Sequence, residues 1–218
     1  MISPTIDPDT TTGPIITSPA TTDQIIQSHP LIISLRQNPK FIESRPHRDL
    51  PDIQKHQSLI AGSLAGPHRI STPPYIFTNA STNRLTMILH LGTQICGHSG
   101  IIHGGLLATL FDEALARCCF AALPNKIGVT ANLSVDYRAP AGADQCFVLW
   151  AEVVRVEGRK VWGRGTFETL PVGQDGVGEV YGDEVGEGGE GGLLVAEATA
   201  LFIEPRDVTG LRSIYKAG

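Results

Sequence analysis

The stretch from Gly104 to about Ala121 constrains the fold more than any other. Leu107, Leu110, Phe111, Ala114, Leu115 and Cys118 recur at helical spacing, Pro124 lies past the end, and the helix is apolar over most of its circumference. Such a helix must be covered on several sides. Around it the hydrophobic period changes from helical to two. Before it, Leu85, Met87, Leu89 and Leu91 alternate with Thr86, Ile88 and His90 in a strand from Arg84 to Leu91. After it, Val129, Ala131, Leu133, Val135 and Tyr137 alternate with Thr130, Asn132, Ser134, Asp136 and Arg138, and Pro140 closes the run. Cys146 to Val156 and Lys160 to Thr169 flank a Glu157-Gly158 turn, and Leu193 to Glu204 ends at Pro205. One strand, a buried helix and four strands predict an α+β fold, an antiparallel sheet wrapped around one central helix. The sheet covers the helix only in part, so a second subunit is expected on an edge or face.

The rest of the chain is expected to be accessory. Residues 1–23 are rich in Thr and Pro and read as a disordered tail. Residues 24–70 read as an irregular helical arm, with Ile25, Ile26, Leu31, Ile32 and Leu35 on one face and Pro30, Pro46 and Pro51 as interruptions; a lid over the site is its alternative role. The main domain is placed at 71–210. Within it, residues 171–192 carry nine glycines and no hydrophobic period, a flexible hairpin insertion. That insertion holds six acidic residues and no Lys or Arg, so the net charge of −5 falls to +1 elsewhere, which argues against a nucleic-acid surface. No run approaches the roughly 20 apolar residues of a membrane span, and Arg36 is the first Lys or Arg, so no signal peptide is recognised. The expected location is the cytoplasm, with mitochondria as the alternative. Cys96, Cys118, Cys119 and Cys146 lack C-x-x-C spacing and read as free thiols.

Chemistry concentrates in Gly97-His98-Ser99-Gly100-Ile101-Ile102-His103-Gly104-Gly105, which runs into the buried helix. Gly104 and Gly105 at a helix start either permit close packing or expose N–H groups to a negatively charged ligand. On the same helix Asp112 and Glu113 point about 100° apart. Glu113 has Arg117 at i+4, the pattern of a solvated ion pair, whereas Asp112 has small or apolar neighbours and no basic partner at helical spacing. Asp112 is therefore assigned to chemistry and Glu113 to structure. A G-x-S-x-G elbow fails because Ile101 takes the last glycine position, and Cys96, His98 and His103 lack a fourth metal ligand. His98 and His103 also have a plain reading as loop histidines bonded to backbone.

The run I-I-H-G-G-L-L-A-T-L-F-D-E-A, Ile101 to Ala114, resembles the signature of the hotdog-fold thioesterase superfamily, nearest the phenylacetate-type, bacterial aryl-CoA and mammalian acyl-CoA branch. The stretches starting at Ala116, Val135 (V-D-Y-R-A-P-A) and Val156 (V-E-G-R-K) look like a group of fungal thioesterase-like proteins. The resemblance implies a hotdog fold and hydrolysis of an acyl-CoA thioester without metal or redox cofactor, coenzyme A entering only as part of the substrate. It also implies a homodimer, or a dimer of dimers, whose site joins the helix carboxylate of one subunit to the H-G-G loop of the other. Asp112, nine positions after His103, would be general base or nucleophile, and the Gly104 N–H would hold the carbonyl oxygen, beside Gly105. Relatives with an amide six positions before the histidine have Gly97 as its counterpart here, with His98 as the expected substitute. Thr109 or Thr130 would orient water, and Arg138, Arg155, Arg159 and Lys160 would meet the phosphates of coenzyme A. A non-catalytic acyl-CoA binding protein is the alternative, with a hotdog dehydratase and a plain dimer scaffold behind it.

Overall fold

The computed structural model describes residues 19–170 and 192–207. Two helices come first, α1 (Pro19–Ser28) and α2 (Pro30–Gln37). Pro30 starts a helix rather than interrupting one: it occupies the first turn, where its missing N–H costs nothing, and His29 caps the turn by accepting the Leu31 N–H at 3.1 Å. The boundary of the expected tail at residue 23 is corrected. Thr22 is buried, and Asp23 Oδ1 accepts the hydroxyls of Thr72 (2.8 Å) and Tyr75 (2.9 Å) and lies 3.0 Å from the Arg45 guanidinium. Polar anchoring, invisible to a hydrophobicity pattern, ties this segment down. The remainder of the expected tail, residues 1–18, and all but Gly192 of the glycine-rich insertion lie outside the described residues.

The arm is not purely helical either. After β1 (Ile42–Ser44) come α3 (Pro46–Asp49), α4 (Asp52–His56) and a π turn at Leu59–Ser63. Next follow β2 (Tyr75–Asn79) and β3 (Arg84–Leu91). A short hairpin, β4 (Cys96–His98) with β5 (Ile101–Ile102), leads into the long helix α5 (Gly104–Phe120). Strands β6 (Val129–Tyr137), β7 (Gln145–Glu157), β8 (Lys160–Thr169) and β9 (Leu194–Ile203) complete the chain. Seven strands form one antiparallel sheet in the order β1-β2-β3-β7-β8-β9-β6. The arm thus lends the sheet an edge strand, β1, and β6 is the opposite edge.

Period-two alternation distributes the core over both faces of the sheet. Ile76, Met87, Leu89, Phe147 and Leu149 face α5, which buries Leu107, Leu110, Phe111, Ala114, Leu115 and Cys119 against them. Their neighbours Tyr75, Phe77, Ile88 and Val148 face the other way and are covered by Ile26, Leu31, Ile32 and Leu35 of α1 and α2. On β8 Gly163 lets the helix seat closely, since a Cβ there would stand 2.7 Å from Cys119 Sγ, and Gly165 gives room to the neighbouring strand, where a Cβ would meet the Trp150 carbonyl of β7 at 2.6 Å. The cysteines are free; burial pushes the Cys119 and Cys146 thiols up to about 12, which makes them inert fillers. Among the described residues no helix is long and apolar enough to cross a membrane.

Candidate active site

The entry to α5 is built by hydrogen bonds to the loops on either side of it. His103 donates its backbone N–H to the Ile95 carbonyl (3.0 Å), and Ile102 donates to Ala141 (2.8 Å), so the hairpin is held between two neighbouring loops. His103 is the N-cap of α5: its extended backbone turns the ring back so that Nδ1 accepts the Gly105 N–H at 2.9 Å. In the neutral ring this bond assigns the proton to Nε2. A Cβ at Gly105 would stand 3.0 Å from that ring, so packing alone accounts for this glycine. Gly104 is different. Its carbonyl accepts the Tyr137 hydroxyl at 2.8 Å, while its N–H, one of the unpaired donors of a helix start, has no partner among the described residues.

A cleft of about 610 Å³ opens at this point, with His98, His103, Gly104, Leu107, Tyr137, Arg138 and Pro140 among its walls. None of its lining residues comes from the arm; α1 and α2 lie on the opposite face of the sheet, so the alternative role of these helices as a lid is not met. Gly97 also lines the cleft, and a Cβ there would approach the His103 ring to 3.2 Å, so the ring occupies the space of a side chain at 97. His98 is exposed on β4 at the cleft wall. Arg138 lines the cleft with its guanidinium bonded to Glu197 at 2.9 and 2.7 Å.

Asp112 stands elsewhere. It is half-buried two turns along α5 from the cleft, and its Oδ1 accepts the Thr130 hydroxyl at 2.7 Å; no cation pairs with it among the described residues. Thr109, the other candidate to orient water, instead donates to the Gly105 carbonyl at 2.9 Å. The Thr130 contact depends on an irregularity. Strict alternation puts Thr130 on the face opposite Leu133, Val135 and Tyr137, but the register of β6 against β9 slips between Thr130 and Asn132, a bulge that turns Thr130 toward α5.

Glu113 meets the opposite treatment. Arg117 bonds it as expected, with Nε at 2.7 Å, but the pair is not solvated: side-chain exposure is 18% for Glu113 and 14% for Arg117, and His47 of the arm adds its Nε2 at 3.0 Å. Burial alone would raise this carboxyl, yet the His47 ring and the Arg117 guanidinium outweigh it and hold it at about 2. Sequence reading missed His47, because an ion pair that is local on a helix carries no sign of a third partner 66 residues away.

Arg159 and Lys160 lie at the other end of the sheet from the cleft. Lys160 pairs with Ile203, which also pairs with Val129, eight residues or roughly 27 Å along β6 from Tyr137. Arg159 donates to the Glu204 carbonyl at 2.7 Å, and Arg155 stacks over Trp162 at 4.3 Å. One subunit therefore does not bring these cations to the Gly104 cleft.

An antiparallel sheet curled about one long helix, with His-Gly-Gly at the helix start and a carboxylate two turns on, is the hotdog class. The thioesterase superfamily profile matches residues 99–168. The chain is 35% identical over 189 residues to UPF0644 protein PB2B4.06 of Schizosaccharomyces pombe, which spans 87% of this chain and 67% of that protein. It is 35% identical over 157 residues to a Candida albicans protein named "Uncharacterized protein, mitochondrial", covering 72% of this chain and 64% of that one. Acyl-coenzyme A thioesterase THEM4 of Rattus norvegicus is 30% identical over 129 residues, 59% of this chain and 46% of its own length. The chain belongs to the thioesterase superfamily. It spans less than half of the rat enzyme it matches.

Proposed function

We propose that the protein hydrolyses an acyl-CoA thioester to a free acid and coenzyme A, with Asp112 as general base or nucleophile and the Gly104 N–H as the donor to the carbonyl oxygen. The observation that carries this is Asp112 itself: among the described residues it is a carboxylate without a cationic partner, oriented by one hydroxyl at 2.7 Å, on the helix whose first turn offers an N–H with no partner among those residues. Attack on a thioester carbonyl places negative charge on its oxygen, which a preorganised N–H stabilises. Eight residues separate Gly104 from Asp112, about 12 Å along the helix axis. That is too far for both to reach one carbonyl, so the working site needs the cleft of one subunit and Asp112 of a second. The exposed edge strand β6, with Val129 and Tyr137 in the open, supports such a homodimer.

A non-catalytic acyl-CoA binding protein is the second reading, favoured by Gly97, which supplies no polar group where the resemblance would place an amide. The name of the Candida relative supports mitochondria over the cytoplasm as the location. The experiment is release of coenzyme A thiol from short, medium, long-chain and aromatic acyl-CoAs by wild type and Asp112→Asn of equal melting temperature. Turnover lost in the variant supports the assignment, undiminished turnover rejects Asp112, and saturable binding without turnover selects the second reading.

A further inference from the structure

The peptide plane between Gly104 and Gly105 is held at both ends by side chains that line the cleft. Its C=O accepts the Tyr137 hydroxyl at 2.8 Å, and its N–H donates to His103 Nδ1 at 2.9 Å. Two consecutive glycines are the backbone least able to hold its own conformation, because neither carries a Cβ to restrict φ and ψ. They occur here at the turn whose free N–H must point at a reacting oxygen, and such a donor is effective only when its direction is fixed before the reaction. The Tyr137 ring lies flush on Gly104, where an added Cβ would meet three of its atoms at 3.4 Å. This tyrosine is nevertheless half in solvent, at 53% exposure. In the single subunit its hydroxyl is nonetheless committed to a helix carbonyl.

We infer that Tyr137 is a positioning residue for the thioester site: with His103 it clamps the Gly104–Gly105 peptide and so fixes ψ of Gly104, adding to the hold that the Leu106 and Leu107 N–H groups exert, through the His103 carbonyl, on the plane carrying the Gly104 N–H. The inference rests on the thioesterase reading for its kinetic consequence, but the clamp itself has a readout that needs no turnover. Donation by Tyr137 polarises the peptide group, and polarised hydrogen bonds in a chain strengthen one another, so the Gly105 N–H to His103 bond depends on the tyrosine hydroxyl. Interactions that aim a group at the transition state alter kcat, whereas loss of uniform substrate binding alters KM.

Tyr137→Phe tests this, since it keeps the ring against Gly104 and removes only the donor. The variant is expected to keep the wild-type melting temperature, lose about tenfold in kcat for acyl-CoA hydrolysis and hold KM within about twofold. The Gly105 amide proton, followed by NMR, is expected to shift upfield and exchange faster with solvent. A kcat within about twofold of wild type, a loss confined to KM, or an unmoved Gly105 amide each overturns the inference. Wild-type protein that releases no coenzyme A thiol would defeat the thioesterase reading instead; the Gly105 amide then decides the clamp alone, shifted in Tyr137→Phe if it exists and unshifted if it does not.

Discussion

Asp112 and Glu113 are chain neighbours on one helix, yet the structure treats their carboxylates in opposite ways. Glu113 is turned into the body, where Arg117 from its own helix and His47 from the arm hold the carboxyl at about 2. Asp112, about 100° around the helix, is half-buried against a single neutral hydroxyl, that of Thr130. A carboxylate held by a guanidinium and a ring nitrogen is a strut: its charge is engaged, and its proton affinity is far too low for a base at neutral pH. A carboxylate held by one hydroxyl has a fixed direction and an unspent charge. Charge satisfaction, more than burial, separates the acid built into the structure from the one proposed for chemistry.

Exchanging the two carboxyls for amides is the strongest way to break that contrast. Asp112→Asn is expected to lose on the order of a thousandfold in turnover with an unchanged melting temperature. Glu113→Gln should do the reverse. Removing one member of a buried ion cluster leaves the others uncompensated and costs about 3–5 kcal/mol, roughly 10 °C or more in a domain of this size, while activity below the transition survives. Paired melting curves and thiol-release assays check both. If Glu113→Gln lost turnover with its melting temperature intact, the roles would have to be exchanged.

Half of this contrast is legible in the sequence. The i, i+4 spacing of Glu113 and Arg117, and the small apolar neighbours of Asp112, are local and survive folding. The strands from Arg84 onward were legible for a similar reason, since each keeps a period of two in its sequence; even β3, buried on both faces, sets Thr86 and His90 between its apolar residues. β2 was not legible. Tyr75, Ile76 and Phe77 are buried on both faces, by the arm on one side and by α5 on the other, so the run shows no alternation. His47 and Asp23 reach their partners through the tertiary fold, and no local pattern announces either. Thr130 was named as a residue that could orient water, but its inward direction comes from a bulge that breaks the alternation used to read the strand.

Acid titration sharpens the contrast at intermediate cost. Glu113 is depressed in the native state, so its contribution is complete above its ordinary value of 4.5 and is lost as pH falls from there toward about 2. A second group acts at higher pH. His90 is buried between Ser71, in hydrogen-bond contact with Nδ1, and Asp144, whose Oδ1 is 3.5 Å from Nε2. Burial lowers its imidazole, opposed in part by Asp144, so the native state holds it neutral while the unfolded chain takes up a proton near 6.5. The unfolded state then binds more protons, and stability is complete above about 6.5 and falls as pH drops below it. Denaturant midpoints from pH 8 to 3 are expected to decline in two windows. Glu113→Gln is expected to shrink the lower one, to which Asp23 and Glu43, also held below the usual carboxylate range, contribute as well, and His90→Asn to remove the upper one; a single decline that neither substitution alters would refute both assignments.

The smallest expected effect concerns the hydroxyl on Asp112. Thr130→Val keeps the β-branched shape on an edge strand and deletes one donor, so the melting temperature should stay within about 1 °C, because the contact lies at the surface and surface substitutions rarely exceed about 0.5 kcal/mol. Turnover is a stricter test than stability, since an orienting bond matters for the direction in which Asp112 presents its oxygen. A charged acceptor losing one partly exposed donor predicts about a tenfold fall in kcat. Thr130→Ser, which restores the hydroxyl without the methyl, should recover most of it. Thr109→Val is the matched control: that hydroxyl is bonded to the Gly105 carbonyl, so its removal should leave kcat within about twofold. If Thr109→Val were the damaging substitution and Thr130→Val neutral, Asp112 would owe its direction to the helix alone, and the bulge in β6 would be a device for closing the sheet edge rather than for building the site.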